Sequence, residues 1–431
     1  MSIDEKLIKK VKKMSSFKKL FSTPLDLFYK EVKGGLTPQQ FLTKQVKVLL
    51  LTSTCNGFGD VVFSYKLKGY LQDWYGDMVK VKIATNNPDA FKSIGEKDSN
   101  LIPLKTKAKD PQCRKFNTMT SGTSLEDFDL YLVAPITADF DPDFKEIHKL
   151  VKNSNRFNTF YLSEYNMPIH KDILFNVGVG KDRCGLFLID KPDSPSKISK
   201  LNYPYSIIYI AKNDDYLENC YEGYLQLLTT KYKLDRLDVV CPEWMMEFIE
   251  TDIEYVLKKV NEHYSKITCI YKGGKKVIHD EGEGGELVFR FDIFPLKINE
   301  MSSLYYHSLP IMLLTGDQSF TDGLSIRKED SLIFYQGLPW KQNFYTSMGK
   351  IIPNKFFKSY KTSCGNVKAI RYKPKLVNFA KKNDFRVKAK PLMDAVIMSV
   401  GHKSNEYLHF KESVLKSRDM RSFKKKIIID E

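Results

Sequence analysis

Apolar and polar positions along this chain alternate between a strand rhythm and a helix rhythm. The run Val46-Lys-Val-Leu-Leu-Leu-Thr52 is apolar but for one lysine, as expected of a strand buried on both faces. It stops at Thr54-Cys-Asn-Gly-Phe-Gly-Asp60, and apolar positions resume at Val61, Val62, Tyr65, Leu67 and Leu71 in a segment that reads as a helix to Tyr75. Strand, glycine turn and helix open a doubly wound α/β domain, in which ligands bind just beyond the carboxyl ends of the strands. The same reading predicts strands over 79–85, 129–135, 157–162 and 184–189, with a helix over 142–153. Residues 190–204 carry three prolines among polar residues and read as a linker. Beyond them come strands over 206–211, 238–241, 266–271, 287–291 and 331–335, with helices over 218–232 and 243–263.

This pattern predicts an α/β fold of two Rossmann-like domains facing a central cleft. The expected segments are a basic helical stretch over 1–44, an N-terminal domain over 45–195, a second domain over 204–375 and basic helices over 376–431. The last of these helices is expected to return to the N-terminal domain.

Charge changes the picture at the ends. The net charge is +16, yet residues 350–431 hold 21 Lys and Arg against 7 Asp and Glu, and residues 1–44 hold 10 against 4, so the middle of the chain is slightly acidic. An anionic partner, an acidic membrane surface or a nucleic acid, would be met at the ends. Solvated lysine-rich helices would give the same composition. Seven scattered cysteines without a Cys-x-x-Cys, and no long apolar run or leader, lead to the expectation of a cytoplasmic protein with reduced thiols.

Two turns carry the candidate chemistry. Gly57 and Gly59 let backbone approach a ligand, and Asp60 falls in the first turn of the helix; Val62, where a third glycine would stand, argues against a dinucleotide site. The second turn is Thr315-Gly-Asp-Gln-Ser-Phe320, where an apolar strand stops and a helix begins with Gln318 or Ser319 as its cap. A helix start preceded by glycine suits a phosphate or diphosphate. Lys212, just past a strand, is a cationic helper for that charge, or an ordinary surface lysine.

With these residues in place, the chain resembles GT-B glycosyltransferases. Asn56-Gly-Phe-Gly-Asp-Val-Val62 is similar to the Gly-Asp-Val turn of the heptosyltransferase group and the Asn-x-Gly-Asp turn of the protein-arginine rhamnosyltransferases. Gly316-Asp-Gln-Ser319 is similar to the Gly-Glu-Asp-Ser turn with which the latter hold the donor diphosphate, although position 317 is Asp where that turn has Glu. The resemblance implies an inverting, metal-independent transfer from a nucleotide-sugar donor to a glycan, protein or small-molecule acceptor, with no cofactor. It places Asp60 as the base and Asp317 beside it among the catalytic residues, and Gly57, Gly59, Lys212, Gly316, Gln318, Ser319 and Phe320 at the donor.

Other constellations are weaker. Asp139-Phe-Asp-Pro-Asp143 resembles the Asp-x-Asp metal motif of GT-A enzymes, but it also serves as a helix cap. His263, Cys269 and His279 lack zinc spacing, and 280–286 reads as a flexible acidic loop. The alternative function is a nucleic-acid-binding or scaffold protein working through its basic termini.

Overall fold

The computed structural model describes residues 42, 44–54, 58–106, 119–125, 127–136, 147, 150–151, 158–169, 173–191, 195–211, 214–251, 253–326, 331–336, 342–351, 357–362, 365–371 and 374–401. Residues 1–41 and 43 of the basic N-terminal stretch, residues 402–431 of the basic C-terminal one, Gly57, Lys212, the Asp139–Asp143 motif and most of the expected 142–153 helix lie outside the described residues.

The chain forms two compact units, each built on its own α/β sheet. The first comprises residues 1–92, 96–185 and 385–431, the second 93–95 and 186–384. In chain order, the first unit contains β1 (Val46–Thr52), α1 (Gly59–Tyr75), β2 (Val79–Thr85), α2 (Pro88–Ser93), β3 (Leu101–Thr106), β4 (Met119–Ser121), β5 (Leu130–Ile136) and β6 (Thr159–Ser163). Its sheet runs β4-β3-β2-β1-β5-β6, all parallel except β4. Strand β1 is apolar because it is central: Val46 to Thr52 pair with Val79 to Thr85 on one side, and Val48 to Leu51 with Leu130 to Val133 on the other. The chain steps outward from β1 through β2 to β3, then crosses back to β5 and β6, so the sheet's topological switch point lies between β1 and β5.

The second unit contains β7 (Tyr205–Tyr209), α3 (Asp214–Lys231), β8 (Arg236–Val240), α4 (Met245–Thr251), α5 (Ile253–Leu257), β9 (Lys266–Tyr271), β10 (Gly274–Asp280) and β11 (Glu286–Arg290). It continues with α6 (Ile298–His307), β12 (Ile311–Leu314), α7 (Asp317–Ile326), β13 (Leu332–Tyr335), α8 (Gln342–Ile351), β14 (Phe357–Thr362), β15 (Gly365–Arg371) and α9 (Pro374–Lys382). The strand order is β10-β9-β11-β8-β7-β12-β13-β15-β14, with the six strands from β9 to β13 parallel. Here the switch point lies between β7 and β12. These are the two Rossmann-like sheets that the GT-B reading requires.

The chain then returns to the first unit as α10 (Phe385–Lys388) and α11 (Lys390–Gly401). Phe385 lies against Tyr70, Trp74 and Phe175, and Tyr75 Oη donates to Asp394 Oδ1 at 2.8 Å. Helix α11 thus packs on the first unit, whereas the last helix of 376–431, whose return was expected, falls on residues outside those described.

Several expectations are corrected. Residues 184–189 form no strand; only isolated bridges, Gly178 with Gly185 and Leu186 with Asp384, occur there. The expected 243–263 helix is two short ones, α4 and α5, and the chain then turns where Asn261 N–H donates to Thr229 Oγ1. Within the 190–204 linker, residues from 195 on are tied to the second unit. Arg290 Nη1 donates to the Lys200 carbonyl at 2.7 Å, Arg236 lies 3.9 Å from the Tyr203 ring centre, and Leu201 is buried. Arg290 itself is buried and bridges Asp238 and Asp292, so this anchor is fully paired.

Candidate functional site

In the first unit, the turn after β1 leads directly into α1 at the switch point. The first intrahelical bond of α1 runs from Val62 N–H to the Phe58 carbonyl, Phe58 supplies no side-chain cap, and Asp60 in the first turn sits at the positive end of the helix. One turn along the same face lies Ser64, which is fully buried. Its hydroxyl donates to the Ala134 carbonyl of β5 at 3.0 Å and accepts from Thr52 Oγ1 of β1 at 2.8 Å. This one side chain therefore pins the helix to the two strands that flank the switch point. Beyond β1, Asn86 holds the turn from the other side: its Oδ1 accepts from Thr54 N–H at 2.8 Å and from Thr54 Oγ1, and its Nδ2 donates back to the Thr54 carbonyl. Gly59 is exposed, and a Cβ built on it would meet nothing within 4 Å, so its own chain leaves room there.

In the second unit, the Gly316 turn occupies the matching place, at the carboxyl end of β12 beside β7. Thr315 N–H donates to the Tyr209 carbonyl at 2.8 Å, closing the two strand ends together. Gly316 has φ +75°, a left-handed conformation that glycine adopts without cost. Helix α7 starts at Asp317, and its ladder begins with Phe320 N–H donating to the Gly316 carbonyl. The cap is thus Gly316; Gln318 and Ser319, expected to cap, lie inside the first turn instead. Thr315 is buried, and its Oγ1 has no hydrogen-bond partner. A buried unpaired hydroxyl beside a helix N-terminus is a polar feature whose own structure does not account for it.

Gln336, at the end of β13, reaches past the end of β12 to β7: its Oε1 accepts from Ala211 N–H at 3.0 Å. That contact fixes the backbone immediately before Lys212. Asp317 is buried, with Tyr335 Oη 3.5 Å from its Oδ1. Ser319 is hydrogen-bonded to Tyr305, whose phenol is pushed well above its ordinary range by burial first, then by Asp322 and Tyr209. Phe320 is a core ring, packed edge-on against Tyr335 and Phe344, so a donor contact from it would have to come through its backbone.

The two motif turns are therefore each placed at the switch point of their own sheet. Sequence reasoning missed the residues whose side chains hold those turns, namely Ser64, Asn86 and Gln336. The Asn-Asn-Pro after β2 was the available signal for Asn86; a lone serine on a helix gives none. Among the described residues no group of His, Cys, Asp or Glu is placed to hold a metal ion, and no helix is long and apolar enough to cross a membrane.

No protein-family model matches the chain, and none of the curated proteins matches it. Among solved structures it is similar to a glycosyltransferase from Rickettsia africae, at 11% identity over 86% of this chain and 94% of that one, with a TM-score of 0.40. It is similar also to a family 9 glycosyl transferase from Veillonella parvula, at 11% identity over 75% and 94%, with a TM-score of 0.35. A third, an O-GlcNAc transferase variant from Thermobaculum terrenum, is 10% identical over 91% and 68%, with a TM-score of 0.31. At such scores these likenesses carry no argument about the reaction.

Proposed function

We propose that this chain is a glycosyltransferase that moves a sugar from a nucleotide-sugar donor to an acceptor hydroxyl or amide, with inversion and without a metal. The observation that carries the reading is the placement of both motif turns at the switch points of two Rossmann-like sheets, where α/β sheets open to ligands. Asp60 takes the acceptor proton as the acceptor atom attacks the anomeric carbon. The bond from that carbon to the diphosphate breaks, and its electron pair leaves with the diphosphate. The first turn of α7, at Gly316, Asp317, Gln318 and Ser319, receives that charge through its N-terminal N–H groups, with Thr315 Oγ1 and Lys212 as further contacts. The buried Asp317 carboxylate at the same end opposes a dianion, so its part in this reading is to accept from donor hydroxyls.

A thermal-shift screen of UDP-, GDP-, ADP-, CDP- and dTDP-sugars tests donor binding. One of them should raise the melting temperature saturably. With that donor, Asp60→Asn should lower turnover by roughly 10²- to 10⁴-fold while the donor Kd stays within a factor of about two. No response to any donor, or near wild-type turnover in Asp60→Asn, removes the reading.

A further inference from the structure

Strand β12 stops short of its neighbour β7. Leu314 is its last residue paired on both sides, with Tyr209 of β7 and Tyr335 of β13. Thr315 N–H still reaches the Tyr209 carbonyl at 2.8 Å, and then Gly316, at φ +75°, turns the chain into α7. The chain leaving β7 runs on through Ile210 to Ala211. Alternate residues of a strand turn their backbone groups to the same side, so Ala211, like Tyr209, presents its N–H and C=O where β12 would have continued. Left there without partners, these groups would be costly.

Gln336 supplies the missing rung. Its own N–H donates to the Leu314 carbonyl at 2.9 Å, which sets it at the end of β13, two strand spacings or about 9.6 Å from β7. The buried side chain crosses that gap: Oε1 accepts from Ala211 N–H at 3.0 Å, and Nε2 donates to the Ala211 carbonyl at 3.4 Å. The carboxamide thus does the work of a peptide group of the absent strand. An asparagine, shorter by one carbon–carbon bond of about 1.5 Å, would not reach. Through its backbone Gln336 holds the root of α7, and through its side chain the chain that faces the first turn of that helix.

We propose that Gln336 is a positioning residue for anion binding at the first turn of α7. It keeps the chain leaving β7 at a fixed spacing from that turn, so that a diphosphate meets both walls of the crevice without rearranging them. This rests on the reading of the α7 turn as the donor-diphosphate site. Both polar atoms of the carboxamide engage Ala211, so its contribution comes through position and not through contact with the ligand.

The test uses inorganic pyrophosphate, titrated calorimetrically into the full chain at constant ionic strength, beside urea midpoints without ligand. Gln336→Met keeps the length of the side chain and removes both bonds, and it should weaken pyrophosphate binding by the folded protein roughly tenfold. Gln336→Glu makes the comparison within one protein. At pH 8 the introduced carboxylate cannot donate to the Ala211 carbonyl. At pH 5.5 burial and the neighbouring anion keep it protonated, and both bonds return. Its Kd relative to wild type should therefore be roughly tenfold weaker at pH 8 and within about threefold at pH 5.5. A purely structural glutamine would lower the urea midpoint of Gln336→Met and leave the Kd unmoved. That result overturns the proposal, as does a Gln336→Glu protein that regains no affinity at pH 5.5; in either case the donor-site reading stands. A wild type that binds neither pyrophosphate nor any nucleotide-sugar overturns both.

Discussion

Replacing Ser64 by alanine tests whether one hydroxyl sets the position of the α1 N-terminus. The substitution removes the donor to the Ala134 carbonyl and the acceptor for Thr52 Oγ1, both at fully buried positions. Each group orphaned in this way costs about 1–3 kcal/mol, so Ser64→Ala should destabilise the first unit by about 2–6 kcal/mol. Thr52→Val leaves the bond to Ala134 in place and removes only the Thr52–Ser64 link, at about 0.5–1.5 kcal/mol. In the double variant Thr52 no longer presents an orphan, so the two costs should fall short of additivity by about 1 kcal/mol, within the range for residues that share a hydrogen bond. Equilibrium urea unfolding of the four proteins gives the cycle directly. Asp60 lies one turn before Ser64 on the same face, so Ser64→Ala should also lower turnover more than it lowers donor affinity. A cost under about 0.5 kcal/mol for Ser64→Ala, or strict additivity in the cycle, would refute the reasoning, since hydrogen bonds of this kind are worth at least that much when buried.

Thr315→Val keeps the side-chain shape and removes a buried hydroxyl that has no partner. The free protein should gain about 1–2 kcal/mol while donor binding weakens, and calorimetry with a melting curve separates the two effects. A variant that is no more stable and binds donor as before would show that the hydroxyl is idle. At high pH the buried thiols set a limit. Burial, and secondarily Glu250, pushes the Cys269 thiol up to about 12, and burial pushes Cys184 up to about 11 and Cys241 well up. An unfolded thiol loses its proton near pH 8.5, so above that the unfolded state binds fewer protons and stability falls as pH rises, up to the folded values. Cys269→Ala should flatten part of that decline in urea midpoints measured from pH 8 to 11; an unchanged slope would show that this thiol contributes nothing to it.

Much of the fold was legible because its central strands are buried on both faces. The bounds of β1, β2 and β9 follow directly from apolar runs whose ends are also the ends of the paired backbone. Edge strands gave no such signal. Strand β10, Gly274 to Asp280, pairs with β9 and is mostly exposed, and its lysines, useful for blunting an edge, interrupt the apolar rhythm by which a strand is read. Likewise the hairpin of β14 and β15 joins the sheet antiparallel at its other margin. The run 184–189 misled because Leu186, Phe187 and Leu188 are buried without a neighbouring strand to pair with. For the candidate site, the two turns were visible as glycine next to acid after an apolar run. The groups that hold them, Asn86 and Gln336, reach across from other strands, and spacing along one segment carries no trace of that.

The return of α11 to β1 sets an order of events during synthesis. Strands β1 to β6 leave the ribosome first, yet the helix that joins Tyr75 through Asp394 is made only after the whole second unit. At roughly 5–20 residues per second, the first sheet waits on the order of ten seconds to a minute for that cover. During this interval apolar surface that α11 will bury is open to water and to other nascent chains. The second unit, continuous from 186 to 384 apart from a three-residue excursion, has no such wait. A chain stalled before residue 385 should therefore hold a finished second unit and an incomplete first one, and chaperones that recognise apolar surface should engage the earlier-made half.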